Sequence, residues 1–417
     1  MDELLLVVKK FGGTSVGSPE RVKHVADIIR SSVQKGDKVV VVVSAMGDST
    51  DQLVSLASKI TSNPSPREMD VLLSTGEQVS IAIMVMALNE IGIDAISFTG
   101  WQANIKTTCV HEKARVLSID PKALIDALDK GKVPVIAGFQ GIADDNSITT
   151  LGRGGSDTTA VAVAAAIKAD LCEIYTDVKG VFTTDPRVVK EAKQIMTVTY
   201  DEMMELAILG AKVLHPRSVE LAKHYGVVLK VLSSFDDCPG TEIREVTNME
   251  NRNVVTGIAF DEDVAKVGIL KVPDRPGIAY KIFGSLAQEN INVDVIVQSI
   301  SPDTNFTEMA FTLSLKDLPK ALKILEGVSK EIGAQGVVYD DKVAKVSIVG
   351  AGMGDRPGVA ATMFKALFDV NVNLQMVSTS EIKISCIIAR EDVKKAVQSI
   401  HDAFNLGKEG LACEQNN

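Results

Sequence analysis

Aromatic side chains are scarce in this sequence. They make up 4% of its residues, with a single tryptophan at Trp101, which argues against platforms for stacking nucleic-acid bases. Basic residues are outnumbered: 44 lysines and arginines face 54 aspartates and glutamates. The resulting net charge of −10 argues against a polyanionic backbone as partner. The five cysteines, Cys109, Cys172, Cys238, Cys386 and Cys413, are odd in number and have neither metal-ligand nor redox spacing. They read as free thiols in a reducing compartment. The histidines (His24, His111, His215, His224 and His401) never cluster and read as structural or solvated. No apolar run approaches membrane-spanning length. Met1-Asp2-Glu3, a short apolar run and then Lys9-Lys10 do not form a signal peptide. The expectation is a cytoplasmic protein with no membrane and no nucleic acid among its partners.

What is present describes an ordinary globular chain. It has 417 residues, 46% apolar and 24% charged, a length that implies two or three domains. Its organising stretch is Leu151-Gly-Arg-Gly-Gly-Ser-Asp-Thr-Thr159, which runs into the apolar helix Ala160–Ile167. The glycines permit close approach to a ligand, and Ser156 reads as the helix N-cap with Asp157 in the first turn. An open, glycine-rich N-terminus on a buried helix suits an anion, and Arg153 adds a planar fork for carboxylate or phosphate. A tight strand-to-helix turn capped by Ser-Asp is the other reading of the same residues.

Similar layouts recur upstream. The apolar strand Leu4–Val8 ends in Lys9-Lys-Phe-Gly-Gly-Thr-Ser-Val-Gly17, and Ser18-Pro19 then opens an amphipathic helix. This loop is neither a P-loop nor a dinucleotide fingerprint. Lys10 stands at a strand's carboxyl end, where an α/β site places charge for phosphate. The strand Val39–Val43 leads to Ser44-Ala-Met-Gly47, and Ser49-Thr-Asp-Gln52 fits a capping box. Ser44 and Thr50 are left with hydroxyls that capping does not use. Glu77 precedes the apolar helix Val79–Leu88, where the dipole favours a carboxylate and a ligand ammonium is a second use.

Strands follow at 95–98, 133–139, 171–175 and 227–232, the last closing the sheet. This β/α alternation predicts a three-layer α/β domain with a mostly parallel sheet, over residues 1–245. Residues 176–187, turn-rich yet holding Val181-Phe182, form a ligand-loop candidate.

The second half repeats itself. Gly257–Ile269 matches Gly336–Ile348, Asp274-Arg-Pro-Gly277 matches Asp355-Arg-Pro-Gly358, and Asn290-Ile-Asn-Val293 matches Asn371-Val-Asn-Leu374. Each copy reads as a ferredoxin-like βαββαβ module, at 264–335 and 343–410. The strand at 254–260 can pair with either module. No nucleophile, base or metal cluster marks them, so they read as sensors.

Lys10-Phe-Gly-Gly-Thr-Ser15, Ser44-Ala-Met-Gly47, Gly76-Glu77, Gly152-Arg-Gly-Gly-Ser-Asp157 and Thr176-Asp-Val with Asp185-Pro-Arg187 together resemble the aspartokinases, among the amino-acid kinases. The repeat resembles their tandem ACT domains, including Val297-Gln-Ser299 and Ser378-Thr-Ser-Glu381. That resemblance implies phosphoryl transfer from ATP to the β-carboxylate of L-aspartate, with magnesium carried by ATP and no protein metal site. It assigns catalysis to Lys10 and Asp157. Lys10, Gly12, Gly13, Thr14, Thr176, Asp177, Phe182, Asp185, Arg187 and Lys212 would bind ATP. Ser44, Thr50, Glu77, Arg153, Gly154 and Ser156 would bind aspartate. Lysine, threonine or both would bind as effectors at Asp274, Ala279, Asn292, Asp294 and Gln298 in the first module. Val359, Asn373, Ser380 and Glu381 would serve in the second. The two copies differ, because Thr379 stands where Gln298 would be. A homo-oligomer through the modules is implied, as a dimer or an α2β2-like assembly with a second-half chain started near Met249. Kinases of glutamate, acetylglutamate or UMP are the alternative within the same fold. A catalytically silent amino-acid sensor is the alternative outside enzymes, against which Lys10, Arg153 and Asp157 speak.

Overall fold

The computed structural model describes residues 4–211, 213–246, 254–299, 305–354 and 356–408. It divides into two compact units. The first holds residues 1–181, 194–208 and 212–247, and the second holds 182–193, 209–211 and 248–417.

The first unit opens with β1 (Leu6–Phe11), α1 (Pro19–Lys35), β2 (Lys38–Val43), α2 (Ser49–Ile60) and α3 (Pro66–Glu90). Next come β3 (Ala95–Phe98), β4 (Ile105–Thr107), β5 (Val116–Ile119), α4 (Lys122–Asp129) and β6 (Val133–Ala137). Then follow β7 (Gln140–Ile142), β8 (Ile148–Thr150), α5 (Gly155–Ile167) and β9 (Leu171–Thr176). The unit ends with β10 (Thr197–Val198), α6 (Tyr200–Leu206), α7 (Pro216–Tyr225), β11 (Leu229–Ser233) and β12 (Thr241–Ile243).

Its main sheet runs β10-β12-β11-β9-β1-β2-β6-β3, and every pair from β11 to β3 is parallel. β11 therefore does not close the sheet. β12 returns antiparallel beside it, and β10 pairs beyond. A separate small sheet, β5-β4-β7-β8, grows from turn-rich segments too short to show a period of two.

Strand alternation gives the adjacent lysines of β1 different surroundings. Phe11, two residues from Lys9, joins Val25, Ile29, Ile81 and Met84 in the core under α1 and α3. Lys9 is buried against Glu173 and Tyr175. Lys10, between them in the chain, reaches α5. α1 starts as the sequence predicts, with Ser18 Oγ accepting from Arg21 N and Pro19 in the first turn.

α3 departs from expectation. It is a continuous 25-residue helix, so Glu77 lies in mid-helix and no terminal dipole explains its charge. By length and hydropathy α3 could cross a membrane. Yet Asp70, Ser74, Glu77 and Ser80 are all buried along it, as befits a core helix that serves a polar site.

The second unit comprises β13 (Gly257–Pro273), α8 (Ile278–Gln288), β14 (Asp294–Gln298), β15 (Phe306–Ser314) and α9 (Leu318–Ile332). It continues with β16 (Gly336–Val349), α10 (Val359–Asp369), β17 (Met376–Thr379), β18 (Lys383–Ala389) and α11 (Val393–Ala403). They form one sheet, β14-β15-β13-β16-β18-β17. The two modules share their long central strands. The first half of β13 (Gly257–Asp261) pairs with Lys345–Val349, and its second half (Val264–Leu270) pairs with Gly336–Val343. The strand at 254–260 thus pairs into the second module and supplies the edge that a strand after α11 was expected to fill. Among the described residues no strand follows α11.

The helix-covered side holds one core per module, around Ile282, Phe311 and Leu325 in the first and Met363, Leu367 and Val397 in the second. Across the other side, Val295 of β14 and Met376 of β17 meet Val264, Val343 and Ile387.

Candidate active site

A cavity of about 320 Å³ opens at the carboxyl ends of β1 and β2, beside the point where the chain's strand order reverses from β2 to β9. Lys10, Gly13, Ser44, Thr50, Glu77, Arg153, Gly154, Ser156 and Asp157 line it. These include every residue assigned to the acceptor and both assigned to catalysis. Lys10 Nζ lies 2.6 Å from Asp157 Oδ1, with both side chains largely buried.

The walls depend on close backbone approach. A Cβ on Gly13 would stand 2.8 Å from the carbonyl oxygen of Ala45, and Gly47 N donates to Gly13 O at 3.0 Å. Gly154, at φ +71°, passes so near His215 that a Cβ would lie 2.3 Å from that residue's own Cβ. This left-handed glycine, and not Ser156, caps α5. Ser156 then sits inside the first turn as part of the pocket lining. The expected capping box at α2 is also absent. Asp48 is the cap residue, Ser49 Oγ donates to Met46 O at 2.5 Å, and Gln52 Nε2 donates to Asp48 Oδ1.

Glu77 is 3% exposed. Its Oε1 accepts from Ala45 N at 3.1 Å, and Oε2 is buried without a hydrogen-bond partner. Burial raises its pKa from 4.5 to about 7. An unsatisfied carboxylate oxygen lining a cavity calls for a cation or donor from the ligand. Ala45, Gly47, Phe139, Gly152 and Gly155 complete the lining beyond the residues that the sequence marks. Four of them lie inside Ser44–Gly47 and Gly152–Asp157. Phe139 carries no signal: it closes the apolar run expected as a strand over 133–139, but β6 ends at Ala137 and Phe139 takes φ +70°, rare for a bulky residue. Thr159 Oγ1 accepts from its N–H, and Leu151 N donates to its carbonyl.

The residues assigned to ATP are divided between the two units. Gly12 N donates to Tyr175 O at 3.3 Å, so this amide extends the sheet ladder. Thr14 is exposed and its carbonyl accepts from Arg21 Nη1. Thr176 Oγ1 donates to Asp177 Oδ1 at 3.0 Å. Phe182, Asp185 and Arg187 belong to the second unit. There Ile258 N donates to Thr183 O, Thr183 Oγ1 meets His401 Nε2 at 3.0 Å, and Val189 is buried in the second module's core. Asp185 is bonded by Arg187, which lowers its pKa. Lys212 lies outside the described residues, as does Asp355.

Among the effector residues, Asp274, Ala279, Asn292, Asp294, Gln298, Asn373, Ser380 and Glu381 are exposed, and Val359 is buried at the start of α10. The Pro-Gly turns do start helices, with Gly277 and Gly358 as left-handed caps. Asp294 is already paired, 2.5 Å from Lys345 Nζ.

Residues 5–233 match the amino acid kinase family, and residues 267–329 and 346–404 each match the ACT domain. The chain is 53% identical to aspartokinase 2 of Bacillus subtilis over 97% of its own length and 98% of that protein's. It is 51% identical to the aspartate kinase of Pseudomonas putida, over 97% and 98%. The chain belongs to the aspartokinase family. It is accordingly an aspartate kinase, with an α/β kinase domain followed by ACT domains. E. coli aspartokinase III in complex with aspartate and ADP superposes with a TM-score of 0.77 at 28% identity, over 95% of this chain and 99% of that one. The aspartate kinase from Synechocystis gives a TM-score of 0.54 at 50% identity, over 96% and 69%.

Proposed function

We propose that the cavity binds L-aspartate and that the enzyme transfers the γ-phosphoryl group of Mg-ATP to its β-carboxylate, yielding 4-phospho-L-aspartate and ADP. The observation that carries this reading is the pairing, in one small cavity, of a forked cation (Arg153) with a buried, unsatisfied carboxylate (Glu77). An α-amino acid needs that pair for its carboxylate and ammonium. A β-carboxylate oxygen then attacks the γ-phosphorus as the bond to the ADP oxygen breaks. No general base is required, because an ordinary carboxylate is already ionised at neutral pH. Lys10, held by Asp157, offsets charge on the moving group, since such transfers rest on positioning and electrostatics. Ser44, Thr50, Gly154 and Ser156 shape the acceptor pocket. Magnesium would be held largely by phosphate oxygens and water, with Asp157 the carboxylate at hand beside Lys10.

For ATP we propose Lys10, Gly12, Gly13, Thr14, Thr176, Asp177, Phe182, Asp185, Arg187 and Lys212, with the kinase domain spanning 1–245 and the modules 264–335 and 343–410. The product is taken as the entry to lysine, threonine and methionine biosynthesis, with lysine, threonine or both inhibiting through the modules in a homo-oligomer. A structure of E. coli aspartokinase III in complex with lysine and aspartate, at 27% identity and a TM-score of 0.75, supports the effector class. The free thiols Cys109, Cys172, Cys238 and Cys386 support a cytoplasmic setting. A coupled ADP-release assay over aspartate, glutamate, acetylglutamate and UMP, with and without lysine and threonine, tests this. Turnover with another acceptor but not aspartate would overturn it.

A further inference from the structure

Asp70 is fully buried on α3, seven residues or about two turns ahead of Glu77. Three donors from two other segments satisfy its carboxylate. Glu112 N lies at 3.0 and 3.2 Å from the two oxygens, His111 Nδ1 at 2.7 Å and Thr150 Oγ1 at 2.5 Å. Thr150 is the last residue of β8, and Leu151-Gly152-Arg153 follow directly. Arg217 holds the same turn, donating to Leu151 O at 2.8 Å and to Ala114 O at 2.6 Å. Gly152, at φ +75°, passes so close that a Cβ would stand 2.8 Å from Glu112 O. A buried carboxylate with this many partners is costly to place, and an apolar residue would serve helix packing alone.

We infer that Asp70 is a positioning residue for aspartate binding: through Thr150 and Glu112 it ties the turn carrying Arg153 to the helix carrying Glu77. The spacing between the two groups that grip the acceptor's carboxylate and ammonium is then set by one helix. The inference rests on the reading of Arg153 and Glu77 as that pair.

Steady-state kinetics on the full chain tests it. Asp70→Ala strands three buried donors and is expected to fold poorly, so Thr150→Val, which deletes one hydroxyl and keeps the shape, carries the test. It should raise KM for aspartate about five- to twentyfold, with KM for ATP and saturating kcat within about twofold. Thr150→Ser should restore the aspartate KM. In an Arg153→Ala background Thr150→Val should add almost nothing, because it acts through Arg153. An unchanged aspartate KM in Thr150→Val, a fully additive double variant, or equal losses for both substrates would overturn the inference. Should Arg153→Ala itself leave aspartate KM unchanged, the acceptor-pocket reading fails instead, which the single variant reports separately.

Discussion

The ammonium of Lys10 stands 2.6 Å from the carboxylate of Asp157, joining the end of β1 to the first turn of α5. The pair is 11% and 12% exposed, so neither charge is left to bulk water, and Asp157 Oδ1, which makes no hydrogen bond, has the ammonium as its charge partner. The lysine is therefore oriented before any nucleotide arrives, the condition under which electrostatic stabilisation acts without reorganisation.

Lys10→Ala should lower kcat by on the order of 10²–10³-fold, the loss found when one preorganised charge or donor is removed. KM for aspartate should move far less. Steady-state kinetics at saturating ATP reads both. Normal kcat with only weakened ATP binding would make Lys10 a docking residue.

Glu77 should impose a pH dependence on stability. Its pKa rises from 4.5 to about 7 on folding because burial disfavours the charged form. The folded state thus binds the extra proton between those pH values, and stability falls as pH rises from 4.5 to 7, by roughly 3 kcal/mol in all. Glu77→Gln should flatten that slope in urea melts of the ligand-free protein. The same ionisation should favour aspartate, so KM for aspartate should fall as pH rises through 7 in the parent and not in the variant. A variant with unchanged aspartate affinity and turnover would leave Glu77 without a binding role.

Gly154→Ala forces a side chain into left-handed backbone and against His215. Strain of about 1 kcal/mol from backbone alone, and more from the clash, should lower Tm by several degrees. Because Arg153 precedes it, KM for aspartate should rise by more than KM for ATP. A shift in Tm with both constants unchanged would show that the turn tolerates movement without losing the acceptor.

Gln298 ends β14 with its side chain exposed, able to donate and accept towards an effector. Gln298→Ala should raise the concentration of lysine or threonine needed for half-inhibition while basal activity stays near normal. Inhibition follows only where an effector prefers the less active arrangement. Lost basal activity with inhibition retained would move the proposed site elsewhere.

Much of this protein was legible in its residues because the signals are local. Apolar runs alternating with 3.6-residue periodicity announce a parallel α/β sheet. Glycines beside Lys10 and Arg153 mark places where backbone must pass close. A repeat of thirteen residues at Gly257 and Gly336 announces paired modules.

Other features were decided only by tertiary contact. Glu77 reads as a helix-start carboxylate because the polar stretch before Val79 hides the earlier turns of α3, whose Asp70 is polar for partners outside the helix. Asp70 and His111 are 41 residues apart, and no periodicity links them. The first half of β13 completes the second module because a free edge of β16 accepts any strand of suitable pattern, wherever it falls in the chain. Residues 176–187 read as a ligand loop by composition, and only folding places the part from Phe182 onward in the second unit, where Thr183 meets Ile258 and His401. Secondary structure follows from neighbours along the chain. Sheet edges and buried polar groups are satisfied by whatever folding brings near, and that partner is not written beside them.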